Sequence, residues 1–282
     1  MKEVYYEEEG VASAVGAIFA ILIFIFLLSL FVTSYVPAEM RSYEEQYSSG
    51  VMNDMMQFMA VVSLLSLNYQ QGQIASVTFD LQSGYLPIFS SPTMGTLNIT
   101  PSSPGISGYI EVGNSTSNIT AGGSLSVLTN DRYFVDEAFS YELSSLFYEQ
   151  YGSRPMINST IQFNLIRTGV PANGSINLSM DLVNLVGGPM SISSASPFVL
   201  TVEALSSDIY SLEGNITLTL FSQMNYQVYH SIYEEVSLLP GMNVSHSVLS
   251  GNIMQISLSS NSVLINLHVT EITVLVGINS SS

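Results

Sequence analysis

Hydrophobic positions divide the chain into an apolar N-terminal part and a long β-rich part. No charged residue occurs from Val11 to Ala38, and isoleucine, leucine, phenylalanine and valine dominate that run. About 20 apolar residues span the hydrocarbon core of a bilayer, so the run predicts a transmembrane helix from Val11 to Val36. A core helix seldom runs this far without a polar face, and a secretory signal has a shorter apolar region.

A second helical pattern follows the apolar run. Apolar residues recur at helical spacing at Met52, Met55, Met56, Met59 and Val62, and Val51, Phe58, Val61, Leu64 and Leu65 widen the stripe. The pattern predicts a stalk helix over residues 37–70 that packs on the β region or on a neighbouring subunit. Thioethers also bind Cu(I), but methionine at helical spacing more commonly fills a core.

From Gln73 onward the hydrophobic pattern has the period of β-strands. Short apolar runs alternate with clusters of glycine, proline, serine and asparagine, which predicts a mainly β fold, an antiparallel β-sandwich. The predicted strands cover residues 77–81, 97–100, 109–112, 125–128, 160–166, 176–185, 198–203, 215–221, 253–258 and 263–276. A boundary near 151–155 divides a small β portion, 71–152, from the sandwich, 153–282. The stretches 136–148 and 226–238 fit either short helices or strands.

Charge and cysteine content exclude several classes of function. The formal net charge is −17, with five lysines and arginines, so the chain lacks the basic clusters that bind nucleic acid. Cysteine is absent, which excludes disulfides and thiolate sites. From Glu39 onward, acidic residues far outnumber the four arginines, so few ion pairs would be lost on acidification. We therefore expect the fold to tolerate acid.

Nine Asn-x-Ser/Thr sequons follow the apolar run, and none precedes it. They are centred on Asn98, Asn114, Asn118, Asn158, Asn173, Asn177, Asn215, Asn243 and Asn279. Because such sequons are acceptors for N-glycans on exported segments, the set predicts that the C-terminal region is extracellular. The positive-inside rule adds little here, since Lys2 and Arg41 lie on opposite sides of the run. Residues 1–10 would then be a cytoplasmic leader or tail.

The segment from Gly10 to Ile18, GVASAVGAI, runs directly into the apolar sequence. This arrangement resembles the start of archaeal type IV pilin-like surface proteins, in which a short polar leader ends at a small residue before a hydrophobic anchor helix. The resemblance implies cleavage between Gly10 and Val11 and an anchored or filament-forming protein. Glu9 stands where that family usually has lysine or arginine.

Sequence motifs for catalysis are lacking. There is no G-x-S-x-G, H-E-x-x-H, phosphate-binding loop or dinucleotide-binding fingerprint. His230 and Glu234 are spaced for a surface ion pair or a metal site on a helix. The acidic cluster of Asn130, Asp131, Asp136 and Glu137 predicts a solvated loop, with calcium binding as the alternative.

These observations predict a cell-membrane protein with a single pass and an extracellular C-terminal domain. We expect a structural, filament-forming or adhesive role, pilin-like or S-layer-associated, without catalysis and without a cofactor. Its predicted partners are the lipid bilayer and copies of itself or other envelope proteins. The alternative is a membrane-anchored ligand-binding or sensor ectodomain, which should show a pocket with convergent polar groups.

Overall fold

The structure is a computed structural model. It describes residues 3–102, 108–150, 156–159, 163–164, 175–221, 226–237, 243–250, 253–260 and 264–278. The helices are α1 (Glu3–Leu30), a π-helical turn (Phe31–Tyr35), α2 (Val36–Leu67) and α3 (Tyr226–Ser237). The strands are β1 (Ile74–Phe79), β2 (Thr96–Pro101), β3 (Tyr109–Gly113), β4 (Asn118–Leu128), β5 (Glu137–Glu142), β6 (Ser145–Gln150), β7 (Met156–Ser159), β8 (Phe163–Asn164), β9 (Ser175–Val186), β10 (Met190–Ile192), β11 (Phe198–Glu213), β12 (Ile216–Phe221), β13 (Asn243–Ser250), β14 (Ile253–Ser259) and β15 (Leu264–Ile278).

The predicted mainly β fold with a long N-terminal helix is confirmed. One sheet has the order β1-β11-β15-β9-β8, and the other runs β13-β14-β12-β3-β4-β5-β6-β7, with β2 on β4 and β10 on β2. Apolar side chains of both sheets meet in shared cores. Among the described strands the pairing is antiparallel except between β9 and β15, which run parallel.

Strand β4 curls the larger sheet because it changes partners halfway along its length. Its first half pairs with β3 and its second half with β2 and β5. Gly122 and Gly123 lie at the change, and Gly123 has a φ of 106°, a conformation that favours glycine. A Cβ on Gly122 would lie 2.2 Å from the carbonyl oxygen of Gly108, so only glycine fits this approach.

The interior consists of two hydrophobic cores, joined along the longest strands. The distal core lies between the sheets and under α3, and includes Leu178, Leu218 and Leu267. The stalk core surrounds α2 and includes Phe58 and Val274. Strand β15 contributes its first half to the distal core and its second half to the stalk core. The long strands thus connect the stalk helix to the far end of the molecule.

Strands from both predicted portions share both sheets. In the smaller sheet β1 pairs with β11, and in the larger sheet β3 pairs with β12. The predicted boundary at 151–155 lies outside the described residues. The two ambiguous stretches differ from each other, because residues 136–148 lie largely in the β5–β6 hairpin and α3 covers most of 226–238.

Candidate membrane anchor and stalk interface

The first half of the long helix is an exposed apolar rod. Every side chain from Ser13 to Tyr35 is exposed, including large ones such as Phe24 and Phe26. The helix is long and apolar enough to cross a membrane, by its length and composition. Exposing this surface to water would cost about 25 cal/mol of free energy per Å² of apolar area. Gly10 and Val11, at the predicted leader junction, lie within α1.

A π-helical turn joins the apolar half of the helix to the stalk half. The N–H of Val36 donates to the carbonyl of Phe31, five residues earlier, and Pro37 follows as one of the first residues of α2. Proline has no N–H, and its ring clashes with the carbonyl four residues before it. The wider π turn relieves that clash without breaking the helix, so Glu3–Leu67 is continuous apart from this turn.

The stalk half of the helix is buried along one stripe. From Ser48 one row of buried positions advances in alternating steps of three and four residues, namely Ser48, Val51, Met55, Phe58, Val62 and Leu65, and the buried Met59 lies beside this row. Phe58 lies edge-on to Tyr141 with ring centroids 5.2 Å apart. Of the predicted stripe, Met56 and Leu64 point outward, with 40% and 59% of their surface exposed. Met55 and Met59 are core residues, which favours packing over copper binding.

A buried carboxyl group fixes the N-terminal part of the stalk helix α2. Glu44 is fully buried on α2 and lies against the loop before β5. One of its oxygens accepts the N–H of Arg132 at 3.1 Å, and the other accepts those of Tyr133 and Phe134 at 2.6 and 2.7 Å. Successive backbone N–H groups of this kind form a concave anion site. Here the site is filled by the protein's own helix.

A second polar contact lies one helical turn further along. The carboxyl group of Glu137, in β5, accepts hydrogen bonds from Ser48 of α2, from the Tyr148 hydroxyl and from Gln150 at 2.9 Å. Burial raises the pKa of Glu137, although the bond from Tyr148 partly opposes this. The polar side chains around Glu137 are thus hydrogen-bonded to its carboxyl group.

Asp131 completes an acidic group between the stalk and the loop. Its N–H donates to Asp136 at 2.8 Å, while Asn130 donates to the carbonyl of Met94 at 3.0 Å. Burial, reinforced by the neighbouring carboxyl groups of Glu44 and Glu137, raises the pKa of Asp131 to about 7. Within the described residues no group of three or more histidine and acidic side chains could hold a metal ion, so the calcium alternative gains no support.

None of the predicted glycan acceptors whose side chains are described is fully buried. Asn118, Asn215 and Asn243 are exposed, and Asn98, Asn114 and Asn177 are half-buried. Asn98 and Asn177 face neighbouring strands, where their side-chain oxygens accept from Ser191 and Asn266. Asn158 lies in β7 with its side chain outside the description, and Asn173 and Asn279 lie outside the described residues.

The histidines do not meet. His230 and Glu234 form an exposed contact of 2.9 Å on α3. His246 lies edge-on to Tyr233 at 4.6 Å, and His268 shares a 3.0 Å hydrogen bond with Ser211. The three histidines therefore belong to three separate contacts.

Two open grooves flank Glu137 at the stalk interface. One is lined by the α2 residues Glu45, Ser48 and Met52, and the other by the chain around Thr129 and Asn130. Several of their polar atoms already bind one another, as the Ser48 hydroxyl does with Glu137. The grooves therefore fit a helix–sheet interface better than a ligand pocket.

Sequence reasoning missed Glu44, the one acidic residue that the stalk buries completely. A signal was present, because Glu44 lies four residues before Ser48 on the same helical face. Comparison with protein-family models, curated proteins and solved structures gave no match to this chain. The pilin-like resemblance therefore stays a prediction from the N-terminal residues.

Proposed function

We propose that the protein is a single-pass, membrane-anchored surface protein with a structural, filament-forming or adhesive role, pilin-like or S-layer-associated, and not an enzyme. One observation carries the proposal. A single helix, Glu3–Leu67, exposes an apolar half that fits a bilayer and buries its other half in the stalk core. An ectodomain joined in this way is held firmly on its anchor.

The proposed orientation places the β-rich region outside the cell. The nine sequons all follow the apolar run, and Asn215 and Asn243 are well exposed on the β region. Residues 1–10 would lie in the cytoplasm as a leader or tail, with removal between Gly10 and Val11 as the cleavage proposal. The lipid bilayer would surround the helix from Val11 to Val36, and copies of the chain or other envelope proteins would contact the exposed β surface.

The anchor is tested with two lysines at the centre of the apolar segment, Ile21→Lys and Phe24→Lys. Lysine at a helix centre opposes insertion by about 2.5–3.5 kcal/mol per residue, so we expect the variant to leave the membrane fraction on flotation. The matched control places two lysines at exposed apolar positions of the strands, Ile209→Lys and Val248→Lys. A double variant in the helix that floats like this control contradicts the anchor.

The orientation is tested by intact-mass and glycopeptide analysis of the full chain purified from a glycosylating membrane. We expect glycan at the exposed Asn215 and Asn243, and none at the half-buried Asn177, whose side-chain oxygen accepts a hydrogen bond from Asn266 of β15. The same spectra report whether residues 1–10 are present. A chain with no glycan on any sequon contradicts an exterior β region.

A further inference from the structure

One loop of the β region has an apolar tip beside the C-terminal end of the exposed apolar half of the helix. Residues 84–90, GYLPIFS, contain no charge. Tyr85 and Phe89 are about half exposed, and Ile88 is 99% exposed. A large apolar side chain with no neighbour is ordinary when it is isolated. Here three lie within five residues, next to a helix whose own surface is apolar.

The backbone of this loop is strained at its tip. Ile88 has a φ of 75°, which is a true outlier for a β-branched residue and marks a strained backbone. The turn is closed around it, since Phe89 and Ser90 donate their N–H groups to Leu86 and the Ser90 hydroxyl accepts the N–H of Leu86 at 3.0 Å. The fold thus holds an isoleucine outward in a conformation that glycine or asparagine would adopt more easily.

The loop contacts the helix at three successive positions. The Phe89 ring lies edge-on to Phe31 in the π turn, with centroids 5.2 Å apart. The Ser90 hydroxyl contacts the sulfur of the buried Met40 at 2.8 Å. Gly84 packs so closely on the Tyr43 ring that a Cβ there would lie 2.9 Å from it. The position of the tip along the helix is therefore defined.

Helix geometry places this contact at the edge of the bilayer core. The flanking charges are Glu9 and Glu39, so Phe24 is the midpoint of the uncharged segment. At about 1.5 Å per residue, Phe31 lies about 10 Å from the midplane, inside a hydrocarbon half-thickness of about 15 Å. Phe89 contacts Phe31, which brings Ile88 to the same boundary. Tyr35 stacks on Phe31 with ring centroids 4.8 Å apart, and Tyr85 belongs to the same loop as Phe89. Interfacial depth is where tyrosine is enriched.

We propose that residues 84–90 form a second membrane contact, in which Ile88 and Phe89 insert into the outer edge of the lipid bilayer. This inference rests on the proposed anchor. It explains why a fully exposed isoleucine, with two further exposed apolar side chains beside it, is held outward in a strained turn next to a transmembrane segment. A helix alone leaves the ectodomain free to tilt with it, whereas two contacts fix the base of the β region against the membrane surface.

The chain has no cysteine, so single cysteines label unique sites. We would attach an environment-sensitive fluorophore to Ile88→Cys, Phe24→Cys and Ile209→Cys in the full chain, reconstituted in phosphatidylcholine vesicles. Ile209 is a matched control, because it is also an exposed isoleucine (74%) but lies far along β11 from the loop. Lipids with a nitroxide near the headgroup or near the chain end serve as quenchers. Tyr85→Cys gives a second loop site that does not disturb the strained residue.

We expect lipid quenching at position 88 to be several-fold stronger than at 209, and stronger from the headgroup-proximal nitroxide than from the deep one. Position 24 should show the reverse depth preference. Quenching at 24 with none at 88 or 85 overturns the loop contact alone. A blue-shifted label at 88 that lipid nitroxides do not quench assigns the tip to a second copy of the chain and also overturns it. Absence of quenching at 24 removes the anchor, and the loop contact with it.

Discussion

At the scale of single residues, the carboxyl group of Glu44 is held by several contacts at once. It is fully buried, and its two oxygens accept three backbone N–H groups of the loop that leads into β5. An unsatisfied buried donor costs about 1–3 kcal/mol, so this contact is specific as well as stabilising. Arg41, one turn earlier, lies over the Phe134 ring at 5.9 Å and reinforces the same loop.

Replacing Glu44 by glutamine tests this contact. The side-chain NH₂ would then face backbone N–H donors, and we expect Glu44→Gln to lower the free energy of unfolding by about 1–3 kcal/mol. The measurement is near-UV circular dichroism of the tyrosines during denaturation of the full chain in detergent. Glu45→Gln is the matched control, because Glu45 is exposed on the next position of α2. Equal midpoints for the two variants would mean that the loop contact contributes nothing.

The sequence could not reveal what Glu44 contacts. Its partners are backbone groups 88 to 90 residues away, and backbone N–H groups have no signature in side-chain pattern. A glutamate among apolar positions of a helix is usually an interruption of the stripe. The acidic residues of the loop gave a weak calcium hypothesis for a similar reason, because the pattern showed the charges and not the groups around them.

At the scale of elements, the stalk helix was predicted because its period is local. Residues 37–70 were predicted as helical, and α2 ends at Leu67, where the N–H of Asn68 closes the last turn on Leu64. The direction in which each side chain faces does not follow from the pattern alone, because a broad stripe includes neighbours on both flanks. Leu64 and Leu65 were assigned to the same stripe, yet only Leu65 is buried.

These two leucines make a matched pair. Leu65→Ala removes a side chain that is 2% exposed in the stalk core, and we expect a loss of about 2–5 kcal/mol in the free energy of unfolding. Leu64→Ala removes a side chain on the solvent face and should change it by less than about 0.5 kcal/mol. Chemical denaturation of both variants in the same detergent measures the difference. A reversed order would show that the helix packs with a different face.

The elements that pattern missed have physical reasons of their own. The β5–β6 hairpin turns at Leu143 and Ser144, with φ values of 49° and 55°, where glycine or asparagine is normal. The sequence of residues 136–148 therefore does not indicate a tight turn. Strand β13 (Asn243–Ser250) lies at the sheet edge, where the apolar Val248 and the polar His246 are both exposed, so its sequence has no clear alternation.

At the scale of the whole molecule, the parallel pairing of β9 with β15 is the least local feature. Both strands were predicted, with Leu178 and Met180 buried in β9 beside half-buried Asn177. Their register joins residues about 90 positions apart and passes through both cores. Alternation identifies the strands and their inner faces, but which strands become neighbours depends on the packing of both cores at once.

The stability of the whole fold also depends on pH. The acidic residues at the stalk determine whether that stability rises or falls as the pH increases. Burial raises the pKa of Asp131 to about 7, and raises those of Glu137 and Asp54 as well. In the unfolded chain such groups titrate near pH 4. For Asp131 the raised pKa in the folded state stabilises the fold fully below about pH 4, and this contribution is lost as the pH rises through about 7. For Glu137 and Asp54 the direction is the same.

We therefore expect the full chain in detergent to melt at a higher temperature at pH 4.5 than at pH 7.5. Asp131 is partly exposed, so solvent screening reduces its contribution to about 1–2 kcal/mol, or about 3–6 °C in Tm.

Asp131→Asn should raise the Tm at pH 7.5 and flatten the profile, because the asparagine stays neutral throughout. Asp208→Asn, at an exposed position of β11, is the control and should leave the slope unchanged. The few arginines past Glu39 leave few ion pairs to break in acid. A Tm that falls steadily from pH 7.5 to pH 4.5, equally in all three proteins, would contradict both the role of Asp131 and the acid tolerance expected from composition.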